Sequence, residues 1–302
     1  MNAKIRSNSV LNLCLFIAVI VIIPAILSAQ DEDQKAKIDF NKALEAQQQG
    51  DDSTAMMHYR QALETDPNFT DAYINLGSIY FSHNDYEKAA FNFRKATEVD
   101  SKNADAWANL GRVYFKEKKY DDAISCYNSA LSAKPDYYEV YKDLGLVQHM
   151  KKDWAALAES MKKYTDHITD DYLGFYLLGK ANQKLKKYSE AVTDYNKSIA
   201  LKDDYFNSYN SLGQIYQAQE KHGQAFDMYQ KAVRVDPDNY RAIYNMAISY
   251  ETQNQDDVDN VIKYWNQFLK VAGKNPKAKS MIPGIEEHVK ELEELKAYNE
   301  NQ

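Results

Sequence analysis

The 302-residue chain predicts an all-α solenoid of about seven stacked helix–turn–helix repeats. Two observations carry this reading. Five Leu-Gly pairs recur at a fixed 34-residue step: Leu76-Gly77, Leu110-Gly111, Leu144-Gly145, Leu178-Gly179 and Leu212-Gly213. They use half of the ten glycines, and free turns would scatter glycine instead of spacing it evenly. A fixed period of that length means a helical hairpin copied in series, each copy stacking on its neighbours to bury its apolar face. The second observation is a side-chain pattern around each pair. Trp107, Leu110 and Tyr114 share one face of a first helix, Ala123, Tyr127 and Ala130 line a second, and Pro135 breaks the chain before the next unit.

The unit around Gly213 matches nearly as well, with Tyr209, Leu212, Tyr216, Ala225, Tyr229, Ala232 and Pro237. The unit around Gly77 departs only where Ser101 replaces proline. This pattern closely resembles the tetratricopeptide repeat family, whose signature is W-x2-L-G-x2-Y, then A-x3-F, then P. The resemblance implies a right-handed superhelix whose first helices line a concave groove. In this register the repeats fall at 36–69, 70–103, 104–137, 138–171, 172–205, 206–239 and 240–273. Gly111 and Ala123 are small so that two antiparallel helices can approach closely. Tyr114 and Tyr127 are expected to fill the wedge toward the following unit.

Three units depart from the pattern. The first has Ala43 at the glycine position but keeps Ala55, Tyr59, Ala62 and Pro67. The fourth begins with Tyr141, Leu144 and Gly145, then places Leu157, Met161 and Tyr164 where alanine, aromatic and alanine are expected. Its helices should splay, or its second helix should shift. The seventh has Met246-Ala247 for Leu-Gly and extra residues near Asn254–Asp259 before Val261, Trp265 and Phe268 resume the stripe. After Gly273, Lys274–Lys279 reads as a basic linker, and Ile285, Val289, Leu292 and Leu295 form the apolar stripe of a C-terminal capping helix over 274–302. Asn299 to Gln302 should fray.

Residues Ser7–Gln30 carry no charge, and Val10–Leu27 is densely apolar, with Lys4 and Arg6 before it and Asp31, Glu32 and Asp33 after it. Positive before and acidic after orients everything downstream for export. Residues 1–29 are therefore expected to be a cleaved signal peptide or a retained membrane anchor. Ala29 suits cleavage, Leu27 fits it poorly, and the apolar run is nearly long enough to span a bilayer. The expected location is the periplasm or the outer face of the inner membrane, or a secreted or lumenal one in a eukaryote.

Net charge is −7, and without Lys4 and Arg6 the balance becomes 35 basic to 44 acidic residues, or −9. A mildly acidic surface argues against nucleic acid as a partner, because phosphate binding needs a basic stripe. The two cysteines, Cys14 and Cys126, leave no intramolecular disulfide in a processed chain. The six histidines are scattered, with only His149 and His167 in one repeat; no two are spaced four apart, and no H-E-x-x-H, phosphate-binding glycine loop or G-x-S-x-G exists. No cofactor, metal or catalytic residue is expected. Asp121-Asp122 and Asp203-Asp204 read as residues favouring helix N-termini.

The resemblance places the sixth residue of each repeat in the concave groove. Asn41, Asn75, Asn109, Asp143, Leu177, Ser211 and Asn245 stand there. Asparagine is a poor helix former, and its amide can clamp the backbone of an extended peptide; an exposed polar site copied with the repeat is the other reading. Neighbouring groove positions hold Phe40, Ile74, Phe81, Phe115, Tyr176 and Tyr244, with Arg112 and Lys180 among them. These rings either hold a ligand's side chains or pack between units. Phe40/Leu44 and Ile74/Ser78 occupy the places of the family's carboxylate clamp, so binding of that kind is not expected. The expected function is a non-catalytic scaffold that holds a polypeptide in the groove outside the cytoplasm. A regulatory or substrate-recruiting subunit of an envelope enzyme, or a self-assembling scaffold, are the alternatives. The membrane enters only through an uncleaved N-terminal segment.

Overall fold

Residues 23–300 are described by a computed structural model, with side chains from 31 onward. Lys4, Arg6, Cys14 and most of the expected export segment lie outside them. The described residues form helical hairpins without strands, and the chain divides into two compact units with the boundary between Asp143 and Leu144.

The first unit contains α1 (Ile23–Gln48), α2 (Asp52–Thr65), α3 (Thr70–Ser82), α4 (Tyr86–Val99), α5 (Ala104–Lys116), α6 (Tyr120–Ala133) and the start of α7 (Tyr138–Lys151). The second holds the rest of α7, α8 (Trp154–Thr165), α9 (Tyr172–Lys184), α10 (Tyr188–Leu201), α11 (Phe206–Ala218), α12 (His222–Val235), α13 (Tyr240–Gln253), α14 (Val258–Ala272) and α15 (Ile282–Glu300). Every expected hairpin forms, although α1 begins upstream of position 36, where the first repeat was expected to start.

The first six hairpins reverse through the same turn, whereas Asn254, after the first helix of the seventh, has φ −129°. Gly50, Asn84, Lys118, Lys152, Lys186 and Glu220 all have φ near +60 to +77°, in the left-handed region, at 34-residue spacing. The next amide reaches back to the end of the preceding helix, as Asp85 N to Tyr80 O (2.9 Å) and Lys119 N to Tyr114 O (2.8 Å), which satisfies carbonyls the helix leaves open. That same residue then caps the second helix. Asp51, Asp85 and Asp153 accept from the amides of Thr54, Lys88 and Ala156, whereas Lys119, Lys187 and Lys221 offer no side-chain cap.

Glycine permits the close contact that the period predicted. A Cβ on Gly111 would stand 2.7 Å from the Tyr127 ring, and on Gly213 2.6 Å from that of Tyr229. Tyr59, Tyr127, Tyr195 and Tyr229 are among the largest fully buried side chains. Each such side chain contributes about 1.5–3 kcal/mol by leaving water. Tyr114 behaves differently from the expectation. It packs against the cluster that holds Ala89, Ala90 and Phe93 of the preceding hairpin with Leu110 and Val113 of its own, and its hydroxyl accepts from Arg94 Nη2 at 3.3 Å. Its place on α5 turns it toward α4, while Tyr127 packs on Gly111 within its own hairpin.

The fourth repeat is irregular but not splayed. Elsewhere Ala62, Ala96, Ala130 or Ala232 is followed ten residues later by Ala72, Ala106, Val140 or Ala242, all fully buried. Here Tyr164 takes the first place and Gly174 the second, and a Cβ on Gly174 would stand 2.7 Å from the Tyr164 ring. The Tyr164 hydroxyl donates to Asp171 at 2.8 Å, fixing the connection to α9. In the fifth repeat two serines meet instead, Ser208 donating to Ser198 at 2.9 Å.

The C-terminal helix caps the array. Val289 is buried against the last hairpin with Ile285 and Leu292, but Leu295 is exposed, so the stripe is covered for only part of its length. Glu251 ties the cap down: Trp265 Nε1 donates to one carboxylate oxygen at 2.9 Å, and His288 Nε2 lies 2.7 Å from the other. Among the described residues no helix is long and apolar enough to cross a membrane.

Candidate functional site

The sixth-position residues of the first unit are held at one-repeat steps on α1, α3, α5 and α7. Asn41 is exposed, while Asn75, Asn109 and Asp143 are half-buried. Asn75 has an internal partner. Burial raises the Tyr59 pKa, and a hydrogen bond from Asn75 acts against that rise. The Tyr59 hydroxyl donates to Gln47 Oε1 at 2.8 Å. The same arrangement recurs sixteen residues apart in the second unit, where Ser211 bonds the Tyr195 hydroxyl and that hydroxyl donates to Gln183 at 2.8 Å. Where the ring is replaced by Met161, the sixth-position residue is the buried Leu177. The polar residues at this position therefore answer, in part, the tyrosine hydroxyls of the preceding hairpin.

Asn109 is released from that duty, because the ring before it is Phe93. Its Oδ1 instead accepts from Arg112 Nη1 at 3.1 Å, while Arg112 Nε donates to Asp143 Oδ2 at 2.7 Å. The Arg112 side chain is 38% exposed and that of Asp143 24%, so this is a partly desolvated ion pair. Burial acts to lower the Arg112 pKa, and the charge and hydrogen bond of Asp143 outweigh it. A recess of about 60 Å³ opens beside the guanidinium, lined by Ser78, Phe81, Phe93, Asn109 and Arg112. Phe81 and Phe115 are half-buried and contact the first residue of the following helix, at 5.6 Å from Tyr86 and 6.1 Å from Tyr120.

The other predicted rings are committed to packing. Phe40 lies against Tyr59 and Phe69, at 5.5 and 4.7 Å, and Ile74 joins the cluster around Phe93. Tyr176 stacks on Tyr195 and Tyr205 at 5.8 and 5.1 Å, and burial pushes its hydroxyl up to about 12. Tyr244 packs on Trp265 and Phe268, both at 5.4 Å. Lys180 and Asn245 are half-buried, and burial, then Lys184, lowers the Lys180 amine. In the second unit the predicted groove residues thus mostly build the array. In the first, the structure gathers Asn109, Arg112 and Phe81 around one recess, together with Ser78, which sequence reasoning did not select, and pairs Arg112 with Asp143.

Cys126 is buried, and its thiol is pushed up to about 12 by burial. It is a packing residue.

Three family profiles match the chain: "Tetratricopeptide repeat" over 104–137, "TPR repeat" over 47–83 and 77–118, and a second "Tetratricopeptide repeat" over 174–238. Solved structures share the fold. The C-terminal part of a TPR repeat-containing protein from Cytophaga hutchinsonii is 19% identical, covering 80% of this chain and 98% of its own, with a TM-score of 0.64. YrrB, described as a TPR protein with an unusual peptide-binding site, is 22% identical over 62% of this chain and 96% of its own, with a TM-score of 0.59. MamA is 28% identical over 56% of this chain and 97% of its own, at 0.53. No curated relative matches the chain.

Proposed function

Because the chain belongs to the tetratricopeptide repeat family, we propose that it is a non-catalytic scaffold that holds a polypeptide segment at Arg112 and Asn109, outside the cytoplasm. One observation carries this reading. The Arg112 guanidinium is oriented by Asp143 and Asn109, remains partly exposed, and keeps further N–H groups beyond those two bonds. A peptide carbonyl or carboxylate is the natural acceptor for them. The recess beside it, between Ser78, Phe81 and Phe93, has room for a small apolar side chain of the same peptide. YrrB, which shares the fold, is described as having a peptide-binding site. Export rests on Lys4 and Arg6 ahead of the apolar run Val10–Leu27.

A displayed library of random peptides, panned on the full chain, supplies the probe. Peptides selected in this way should lose at least several-fold in affinity on Asn109→Ala with Arg112→Gln, since hydrogen bonds worth roughly 0.5–1.5 kcal/mol each are removed. Lys88→Ala with Lys95→Ala, on a second helix, should bind as the wild type does. Calorimetry giving the opposite ranking moves the site off the first helices. For export, fractionation should find the wild type outside the cytosol and the Lys4→Glu, Arg6→Glu variant depleted there. A mature N-terminus at Gln30 means a signal peptide and an intact Met1 an anchor; wild-type protein found only in the cytosol refutes both.

A further inference from the structure

Between α8 and α10, with α9 as its floor, lies an open cleft of about 610 Å³. Its origin is a missing ring. Three residues after the repeat glycine, or its alanine equivalent, four repeats carry Tyr80, Tyr114, Tyr216 and Tyr250; the other three carry Ala46, Gln148 and, after Gly179, Asn182. Tyr80 and Tyr114 lie over the second helix of the preceding hairpin, each accepting from an arginine there, Arg60 or Arg94. The shorter Asn182, only 8% exposed, leaves that space empty and reaches across to α10, where its Nδ2 donates to Asp194 Oδ2 at 2.8 Å.

The walls are apolar, from Ala155, Ala158, Leu178 and Leu185, and the carboxylate of Asp194 faces the same space. The acid is in an unfavourable place. Burial pushes the Asp194 carboxyl up to about 6; Asn182 acts against this, Glu190 adds to it, and Lys162 also opposes it. Lys162 lines the cleft, but its Nζ is bonded to both carboxylate oxygens of Asp166 and makes no hydrogen bond to Asp194. An asparagine at 194 would accept the same bond from Asn182 without placing a charge in the cleft. The carboxylate therefore has no advantage in packing, and its chemistry is that of a receptor for a cation with an apolar stem.

We propose that this cleft is a second binding site, which takes a lysine or arginine side chain of a polypeptide partner, its stem against Ala158 and Leu178 and its head on Asp194. The site lies between second helices and is separate from that of Arg112. The exposed lengths of α8 and α10 beside it offer a polypeptide flanking contacts that a free amine cannot use.

The test titrates the full chain in mild detergent with acetyl-Ala-Lys-Ala-amide, its arginine and norleucine counterparts, and butylammonium, read by NMR shifts in α8–α10. The lysine or arginine peptide should saturate at millimolar concentration, about fivefold or more tighter than the norleucine peptide. Asp194→Asn should abolish that preference. Asn182→Tyr, which installs the ring found in four other repeats, should close the cleft to all probes without lowering the melting temperature. Between pH 7 and pH 5 the lysine peptide should weaken as Asp194 takes up its proton. The other charges facing the cleft are Glu159 and Lys162 on α8 and Lys187 and Glu190 at the start of α10, so Glu159→Gln and Glu190→Gln should keep that pH dependence. Equal binding of the norleucine peptide, full affinity in Asp194→Asn, or no saturable response overturns the site. Tighter binding of butylammonium than of the lysine peptide overturns the polypeptide partner.

Discussion

In the third repeat the second helix presents Ala123, Tyr127 and Ala130; in the fourth, 34 residues on, it presents Leu157, Met161 and Tyr164. All six are buried, and both helices pack without leaving their hairpin. The third places its one large ring on Gly111, whereas the fourth carries three large side chains along the helix and sets glycine opposite them. There a Cβ on Gly145 would run into the Met161 methyl, and one on Gly174 would stand 2.7 Å from the Tyr164 ring. What facing positions share is volume: Tyr164 on one helix is met by Gly174 on the next. Individual positions are free to trade it, as close-packed interiors allow when total volume is kept.

The largest effect should come from removing the traded ring. Tyr164→Ala leaves a ring-sized void over Gly174 and should cost about 3–5 kcal/mol. Adding Gly174→Ala rebuilds the Ala96/Ala106 type of pair and should recover part of the loss, a coupling of about 1 kcal/mol or more in a double-mutant cycle followed by denaturant unfolding. Strictly additive losses would break the volume argument.

Next in size is the converse experiment. Ala123→Leu gives the third repeat the residue that Leu157 provides in the fourth, but beside the Tyr127 ring where the fourth has Met161, and should cost about 1–3 kcal/mol. Lys119→Leu, in the exposed turn, should stay within about 0.5 kcal/mol. Equal unfolding midpoints for the two would show that the repeats are aligned wrongly.

The smallest change sharpens the comparison at the hydroxyls. Tyr59→Phe removes the bonds to Gln47 and Asn75 and should cost about 0.5–1.5 kcal/mol by thermal unfolding. The second repeat already does without this hydroxyl at Phe93. A loss much above that range would mean that Asn75 is a structural residue before it is a binding one.

Much of this was legible in the chain because the glycine and alanine positions answer to one neighbour at a fixed distance. Gly111 requires a ring opposite, and Tyr127 is that ring. Residues with two candidate neighbours were harder to place. Tyr114 could face either the preceding or the following hairpin, and only the helix geometry sends it back to Arg94. Asn75 looked like a groove amide because its partner, Tyr59, belongs to the preceding hairpin. Tyr176 and Tyr244 were open between ligand and packing, and their rings went to packing. The cleft at Asp194 went unread, although a signal existed: Asn182 stands where four other repeats carry tyrosine. A search for catalytic or metal-binding motifs looks for residues present, and here the informative fact was a ring withheld.

The left-handed turns carry a consequence for how such an array can change over time. Of the six turns at 34-residue spacing, only the first holds glycine, and the other five force a residue with a Cβ into the same conformation. Each does so at roughly 1 kcal/mol relative to glycine. Because the turns lie a full repeat apart, their contributions should add with little coupling. None of the five is Arg112 or Asp194. Substitutions at the hinge of each hairpin can therefore make the array stiffer or softer in small independent steps while both candidate sites keep their residues.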